Sequence, residues 1–224
     1  MSTEVNVSSE VQEKGKPSIF GFITSPVVQF EKMKSSPVIW GPLLLILILT
    51  AATTILAVYT PQGQEALQQQ KEAGIEVNST FSMIGGAIAI VATLAFTSLI
   101  LFLIAKLGTG KTTYRQMFSL NLFVTFITAI GQLINTGVAA LAHTSANVTS
   151  LNGMVGAKGA MGGVFTSIEI FSIWGLILTA VGLQKVANVS KAVSIITVII
   201  LFILGAAISG AGGAASEALK GAGL

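Results

Sequence analysis

SMIGGAIAIVATLAFTSLILFLIA, residues 82–105, carries no charged side chain from end to end. A helix needs roughly 20 residues to cross about 30 Å of hydrocarbon, so this stretch is long enough to span a bilayer. Four further windows share its character, running approximately from Val38 to Tyr59, Met117 to Ala142, Val164 to Gln184 and Ser190 to Gly210. The fold class expected is therefore all-α, a polytopic membrane bundle of about five transmembrane helices.

Composition points the same way. Apolar residues make up 52% of the chain and charged residues 9%, with a mean hydropathy of +0.82, whereas soluble domains are about one quarter charged. Twelve basic and nine acidic groups are too few to coat a soluble domain of 224 residues, so lipid must cover most of the surface. The net charge of +3 does not imply nucleic acid as a partner, because the Lys and Arg residues are scattered through short connections rather than gathered in a stripe. The absence of cysteine excludes disulfides, thiolate metal sites and thiol catalysis. A cleavable signal needs a basic start and an apolar stretch within the first 15–30 residues. Here the first 36 residues are polar or only moderately apolar, so the first span is expected to stay in the membrane.

The basic residues give an orientation. Lys14, Lys16, Lys32 and Lys34 precede the first span, Lys106, Lys111 and Arg115 lie in the second loop, and Lys185 and Lys191 in the fourth. The first loop, third loop and tail carry only Lys71, Lys158 and Lys220. The positive-inside rule places the amino terminus in the cytoplasm and the carboxyl terminus outside.

Four regions follow. Residues 1–17 have the polar composition of a disordered cytoplasmic tail. Residues 18–37 combine an apolar cluster, including Phe20 and Phe22, with a helix start at Ser25-Pro26 and a run in which Val27, Val28, Phe30 and Met33 alternate with Gln29, Glu31, Lys32 and Lys34. Such a pattern suits an amphipathic helix lying on the inner leaflet or a cap docked on the bundle. Residues 38–210 form the five-helix membrane domain, and 211–224 a small-residue-rich extracytoplasmic tail. Within the first loop, Gln64 to Ala73 is rich in helix formers and stops at Gly74. The third loop, rich in Asn, Ser, Thr and Gly, is expected to be mobile.

Few residues could carry chemistry. Gly108-Thr-Gly-Lys-Thr-Thr113 looks like the end of a phosphate-binding loop, but Ala105 stands where the motif needs its first glycine and no strand precedes it. Asn121, Thr125, Thr128, Gln132 and Asn135 interrupt the third span. Lipid offers them no hydrogen bonds, so this helix is expected inside the bundle. Glu169 is the only acidic residue within a span window, and an intramembrane carboxylate is either structural or part of a proton or ion path. His143, the sole histidine, has no second ligand beside it and reads as an interface residue. No acid, base and nucleophile cluster together, so neither an enzyme nor a bound cofactor is expected. Gly205, Ser209 and Gly213 share a helix face at four-residue spacing, which permits close contact within the bundle or between copies of the chain.

Several of these pieces line up with a known family. Ser18 to Pro26, then Phe30-Glu-Lys-Met-Lys34 and Pro37 before the first span, resemble the entry of bacterial members of the Yip-one (Ypt-interacting protein) family. The stretch Gly108 to Ser119, with Tyr114-Arg115-Gln116 at its centre, is similar to the loop before the third span in those proteins, and Trp174 to Leu183 with Val189 to Ala192 resembles their fourth span and fourth loop. The resemblance covers about Ser18 to Gly210 and implies five spans with a cytoplasmic amino terminus. Eukaryotic relatives bind small Rab-type GTPases in membrane traffic, and some bacterial ones accompany ABC exporters as accessory membrane subunits. The long cytoplasmic domain of eukaryotic members has no counterpart here, which directs the expectation to an accessory, assembly or scaffold role in the bacterial cell membrane. Membrane lipid and other membrane proteins are the partners expected, contacted through Phe20, Phe22, Phe30, Lys32, Lys34, Tyr114, Arg115 and Gln116. The alternative from another class is a small transporter or channel built on Asn121, Gln132, Asn135 and Glu169.

Overall fold

In a computed structural model that describes residues 15–74, 79–108, 111–145 and 147–221, with side chains placed for all of these but 79–83 and 220, the chain is all-α. The helices are α1 (Ile19–Thr24), α2 (Pro26–Ser35), α3 (Trp40–Ala57), α4 (Pro61–Glu72), α5 (Ser79–Ala105), α6 (Tyr114–Ala142), α7 (Leu151–Val155), α8 (Gly159–Ser167), α9 (Ile170–Ala187) and α10 (Lys191–Gly221). Five of them, α3, α5, α6, α9 and α10, are long and apolar enough to cross a membrane. They run alternately up and down, so the loops fall at two ends, one carrying α1 and α2 and the opposite one carrying α4, α7 and α8. The tail expected at residues 1–17 lies largely outside the described residues, as do Thr109 and Gly110 of the glycine-rich second loop.

Helix α6 is the axis of the bundle. Of its spanning stretch 56% is buried, against 17% for α3 and α5 and 11% for α10; it packs on α3, α5 and α9. The polar positions in it explain why. Asn121 Nδ2 donates to Leu94 O at 3.1 Å and to Ser98 Oγ at 3.0 Å on α5, and Ser119 Oγ donates to Val38 O at 2.8 Å at the entry to α3. Where lipid provides no partner, such bonds are made helix to helix. The faces of α3, α5 and α10 turned away from α6 expose Leu44, Ile48, Ile88, Leu103, Ile199 and Ile203, which is the surface a bilayer covers.

Local chemistry sets the helix ends. A capping box opens α6: the Thr113 side chain accepts from Gln116 N, while Gln116 Oε1 accepts from Thr113 N at 2.8 Å, satisfying two of the donors a helix start leaves unpaired. Thr60 caps α4 with Pro61 in its first turn, so the helix expected from Gln64 begins a turn earlier, and Gly74 ends it in the left-handed region at φ 65°. His143 closes α6 in the same conformation, at φ 49°.

The helix expected to start at Ser25-Pro26 is α2, with α1 formed by the apolar cluster before it. Of the two placements left open for residues 18–37, their apolar face is docked on the bundle, since Phe22, Phe30 and Met33 have no exposed surface. Three expectations need correction. The third loop is built rather than loose, since it holds α7 and α8, and α8 packs against α10. The fourth span starts at Ile170 rather than Val164, with α8 as a separate element before it. Finally, the small-residue tail is helical to Gly221 and continues α10. At 1.5 Å per residue, 31 residues extend about 46 Å, more than the hydrocarbon requires. The excess is where α8 lies.

Candidate functional site

At the end of the bundle opposite α1 and α2, the chain between α6 and α9 folds back so that Ser150 and Glu169 form an isolated antiparallel bridge. Leu151 N donates to Ile168 O at 2.9 Å. The bridge interrupts what hydropathy reads as one continuous helix, and Glu169 becomes the N-cap of α9. Its Oε1 accepts from Phe171 N at 3.0 Å and from Thr149 Oγ1 at 2.6 Å; its Oε2 accepts from Ser172 N at 2.7 Å and from Ser172 Oγ at 2.9 Å. A carboxylate at a helix start meets both the unpaired N–H groups and the positive end of the helix dipole. Thr149 is in turn held by Asn135 of α6, whose Oδ1 accepts from Thr149 N at 2.9 Å. Partial burial raises the Glu169 carboxyl, but the bonds from Thr149, Phe171 and Ser172 outweigh it and leave the pKa below the ordinary value, so the group is ionised at neutral pH.

This network forms one end of a cavity of about 460 Å³ between α6, α9 and α10, a volume in the range of small-molecule sites. The α6 wall is Thr125, Thr128, Gln132 and Asn135, whose spacing of three and four places them on one helix face. The α9 wall is Ser172, Gly175 and Thr179, and the α10 wall includes Phe202, Gly205 and Ser209. Gly175 lets the helices close, because a Cβ there would stand 3.0 Å from Thr128 Cγ2. At Gly205 an added Cβ would meet nothing within 4 Å. About one turn beyond Thr179 the interior is filled: a Cβ at Gly182 would reach Leu120 Cδ1 at 2.5 Å and Phe30 Cε1 at 3.0 Å. There the Phe22 ring meets Phe30 and Phe123 edge to face, with centroids 5.1 and 5.3 Å apart.

The sequence-derived candidates therefore divide. Gln132, Asn135 and Glu169 converge on the cavity, whereas Asn121 is turned to α5 and takes no part. Glu169 is not carried within a spanning helix; it stands one residue ahead of it, with both oxygens engaged. Phe22 and Phe30, expected to touch partner or lipid, are sealed in the core, because α1 and α2 present that face to α6 and α9. Gln116 is committed to the capping box and to Lys34 O, to which its Nε2 donates at 2.6 Å. Tyr114 donates its hydroxyl to Ala95 O at 3.0 Å and stacks on Phe118. Arg115, Lys34 and Phe20 are exposed, Phe20 by 79%, and Lys32 is half-buried. The residue that sequence reasoning missed is Thr149, which joins Asn135 to Glu169; the only trace of it was the polarity of the third loop. No three His or carboxylate side chains converge among the described residues, so the cavity offers no metal-ligand set.

A family model for the Yip1 domain matches residues 20–212. Membrane protein YknW of Bacillus subtilis (strain 168) is 38% identical over 213 residues, covering 90% of this chain and 92% of that protein. No solved structure matches the chain.

Proposed function

This chain belongs to the Yip1 domain family, and on that premise we propose that it is a non-enzymatic accessory membrane protein that assembles or steadies other membrane components, with an ABC-type exporter as partner and its amino terminus in the cytoplasm. The observation that carries this reading is the construction of the amino-terminal end. Gln29 Oε1 accepts from Ser18 N at 2.9 Å, Gln116 reaches Lys34 O, and Lys185 lies 3.8 Å from Glu31. Two short helices and the cytoplasm-side ends of α6 and α9 are thereby joined into one platform. Its buried side is aromatic and its outer side presents Phe20, Lys34 and Arg115. A platform held in place before a partner arrives loses little conformational freedom on binding, which favours association.

The test is recovery of partners from gently solubilised membranes by tagged full-length protein, compared with a Phe20→Ala, Arg115→Glu double variant. These side chains are exposed and make no described contact that the fold depends on. The wild type brings down exporter subunits and the variant does not. Equal recovery from both, or recovery of no exporter subunit by the wild type, refutes the reading.

A small transporter or channel is the second reading, favoured by the convergence of Gln132, Asn135 and Glu169 on one cavity. It predicts proton or cation flux in proteoliposomes that Glu169→Gln abolishes. The engagement of both Glu169 oxygens by four hydrogen bonds weighs against it, because a carrier carboxylate must release such partners to take its cargo.

A further inference from the structure

The cavity between α6, α9 and α10 has a polarity gradient along the bundle axis. From Val124 to Asn135 on α6 it extends eleven residues, about 17 Å. Its end near α8 is lined by Gln132, Asn147, Glu169 and Ser209; at its inner end Val124, Leu176, Leu201 and Phe202 stand beside Thr125 and Thr179, the latter with its hydroxyl spent on Gly175 O. The Gln132 side chain is exposed and has no hydrogen-bond partner among the described residues, so it is available to a ligand. No Lys, Arg or His lines the cavity, and Glu169 is its only ionisable lining residue. An anion would find no counter-charge there and would be repelled by the carboxylate.

We infer that this cavity is a binding site for an amphiphile with a cationic head that needs no hydrogen bond, such as a quaternary ammonium. The apolar tail lies against Leu176, Leu201 and Phe202, and the head sits near Glu169. The engagement of the carboxylate selects the kind of cation. Both oxygens already accept from Thr149, Phe171 and Ser172, so Glu169 acts on a ligand through its charge and not by a new bond. A primary ammonium would have to compete for those lone pairs, whereas a quaternary one loses nothing by their being taken. The packed cluster of Leu120, Phe30 and Gly182 closes the inner end and fixes the depth to which a tail can enter. The site is separate from the amino-terminal platform, and the inference does not depend on the accessory role.

The natural sequence has no cysteine, which makes the test direct. Ala206→Cys places a thiol on the cavity wall, and Ser216→Cys places one on the exposed extension of the same helix beyond the hydrocarbon. Each variant is reconstituted in vesicles of phosphatidylethanolamine and phosphatidylglycerol, which carry no quaternary ammonium, and its modification by N-ethylmaleimide is timed while dodecyltrimethylammonium or dodecyl sulfate is titrated in. The cationic probe slows modification of Ala206→Cys saturably, by about tenfold at ten times its half-effect concentration. It leaves Ser216→Cys unaffected, and the sulfate protects neither. Adding Gly205→Phe, at a cavity-lining position where an added Cβ meets nothing within 4 Å, removes the protection while the melting temperature holds. Equal protection by both probes, equal protection at both positions, no protection, or protection that survives Gly205→Phe would each overturn the inference.

Discussion

Replacing Glu169 by alanine removes the acceptor of four hydrogen bonds at the break between α8 and α9. Charge-assisted bonds are worth about 1.5–3 kcal/mol each, and a plain sum would exceed 6 kcal/mol. The surroundings reduce this. Thr149 Oγ1 retains Asn135, whose Oδ1 lies 3.0 Å away, and the Ser172 hydroxyl can turn to water in the adjoining cavity. What remains uncompensated is the loss of the cap on Phe171 N and Ser172 N, for which about 1–2 kcal/mol is usual. The expected cost of Glu169→Ala is thus about 2 kcal/mol. Glu169→Gln, which keeps one acceptor oxygen but brings an amide N–H against Ser172 N, costs about half as much. Thermal unfolding in nanodiscs measures the effect. Trp174 is the reporter, because its ring lies 6.5 Å from Phe171 in the first turn of α9, and Trp40→Phe silences the other indole. The pH dependence has a definite sign. A carboxyl whose folded pKa is lowered stabilises the fold at neutral pH, and that contribution is lost as pH falls through the folded pKa. The gap between wild type and Glu169→Gln therefore narrows in acid. An alanine variant that melts with the wild type, or a gap that widens in acid, would show that Glu169 does not hold this break together.

Three further outcomes are expected. Phe22→Ala and Phe30→Ala each lower stability by about 3–5 kcal/mol, and because their rings touch the double variant costs less than the sum of the singles; thermal melts of the set give the coupling. Gly163→Ala forces a methyl group onto Ser209 O of α10 and destabilises by about 1–3 kcal/mol, whereas Gly205→Ala, with open space around it, is neutral or stabilising by up to about 1 kcal/mol. Asn121→Leu gives up the bonds to Ser98 and Leu94 at a cost of about 0.6 kcal/mol, read from the midpoint of unfolding in sodium dodecyl sulfate.

The sequence by itself determined the number and approximate extent of the membrane-crossing helices. Hydrocarbon imposes one length and excludes charge, and Ser82–Ala105 or Ser190–Gly210 satisfies that condition whatever surrounds it. It also determined that the third span lies inside, since Asn121 and Asn135 must find partners away from lipid. Tertiary structure decided which partners those are. Both residues sit on α6, yet Asn121 bonds α5 and Asn135 bonds Thr149, a difference of rotation that composition does not carry. Only the folded chain shows that Val164–Gln184, continuous in hydropathy, is broken at Glu169, because the break depends on donors from Thr149 and on a bridge to Ser150, which lies 19 positions earlier. The same holds for Phe22 and Phe30. An apolar face beside lysines reads equally well as lipid-facing or core-facing, and the close approach at Gly182 of α9 decides for the core. Hydropathy measures what a side chain avoids; which neighbour it meets is set by packing between helices distant in the chain.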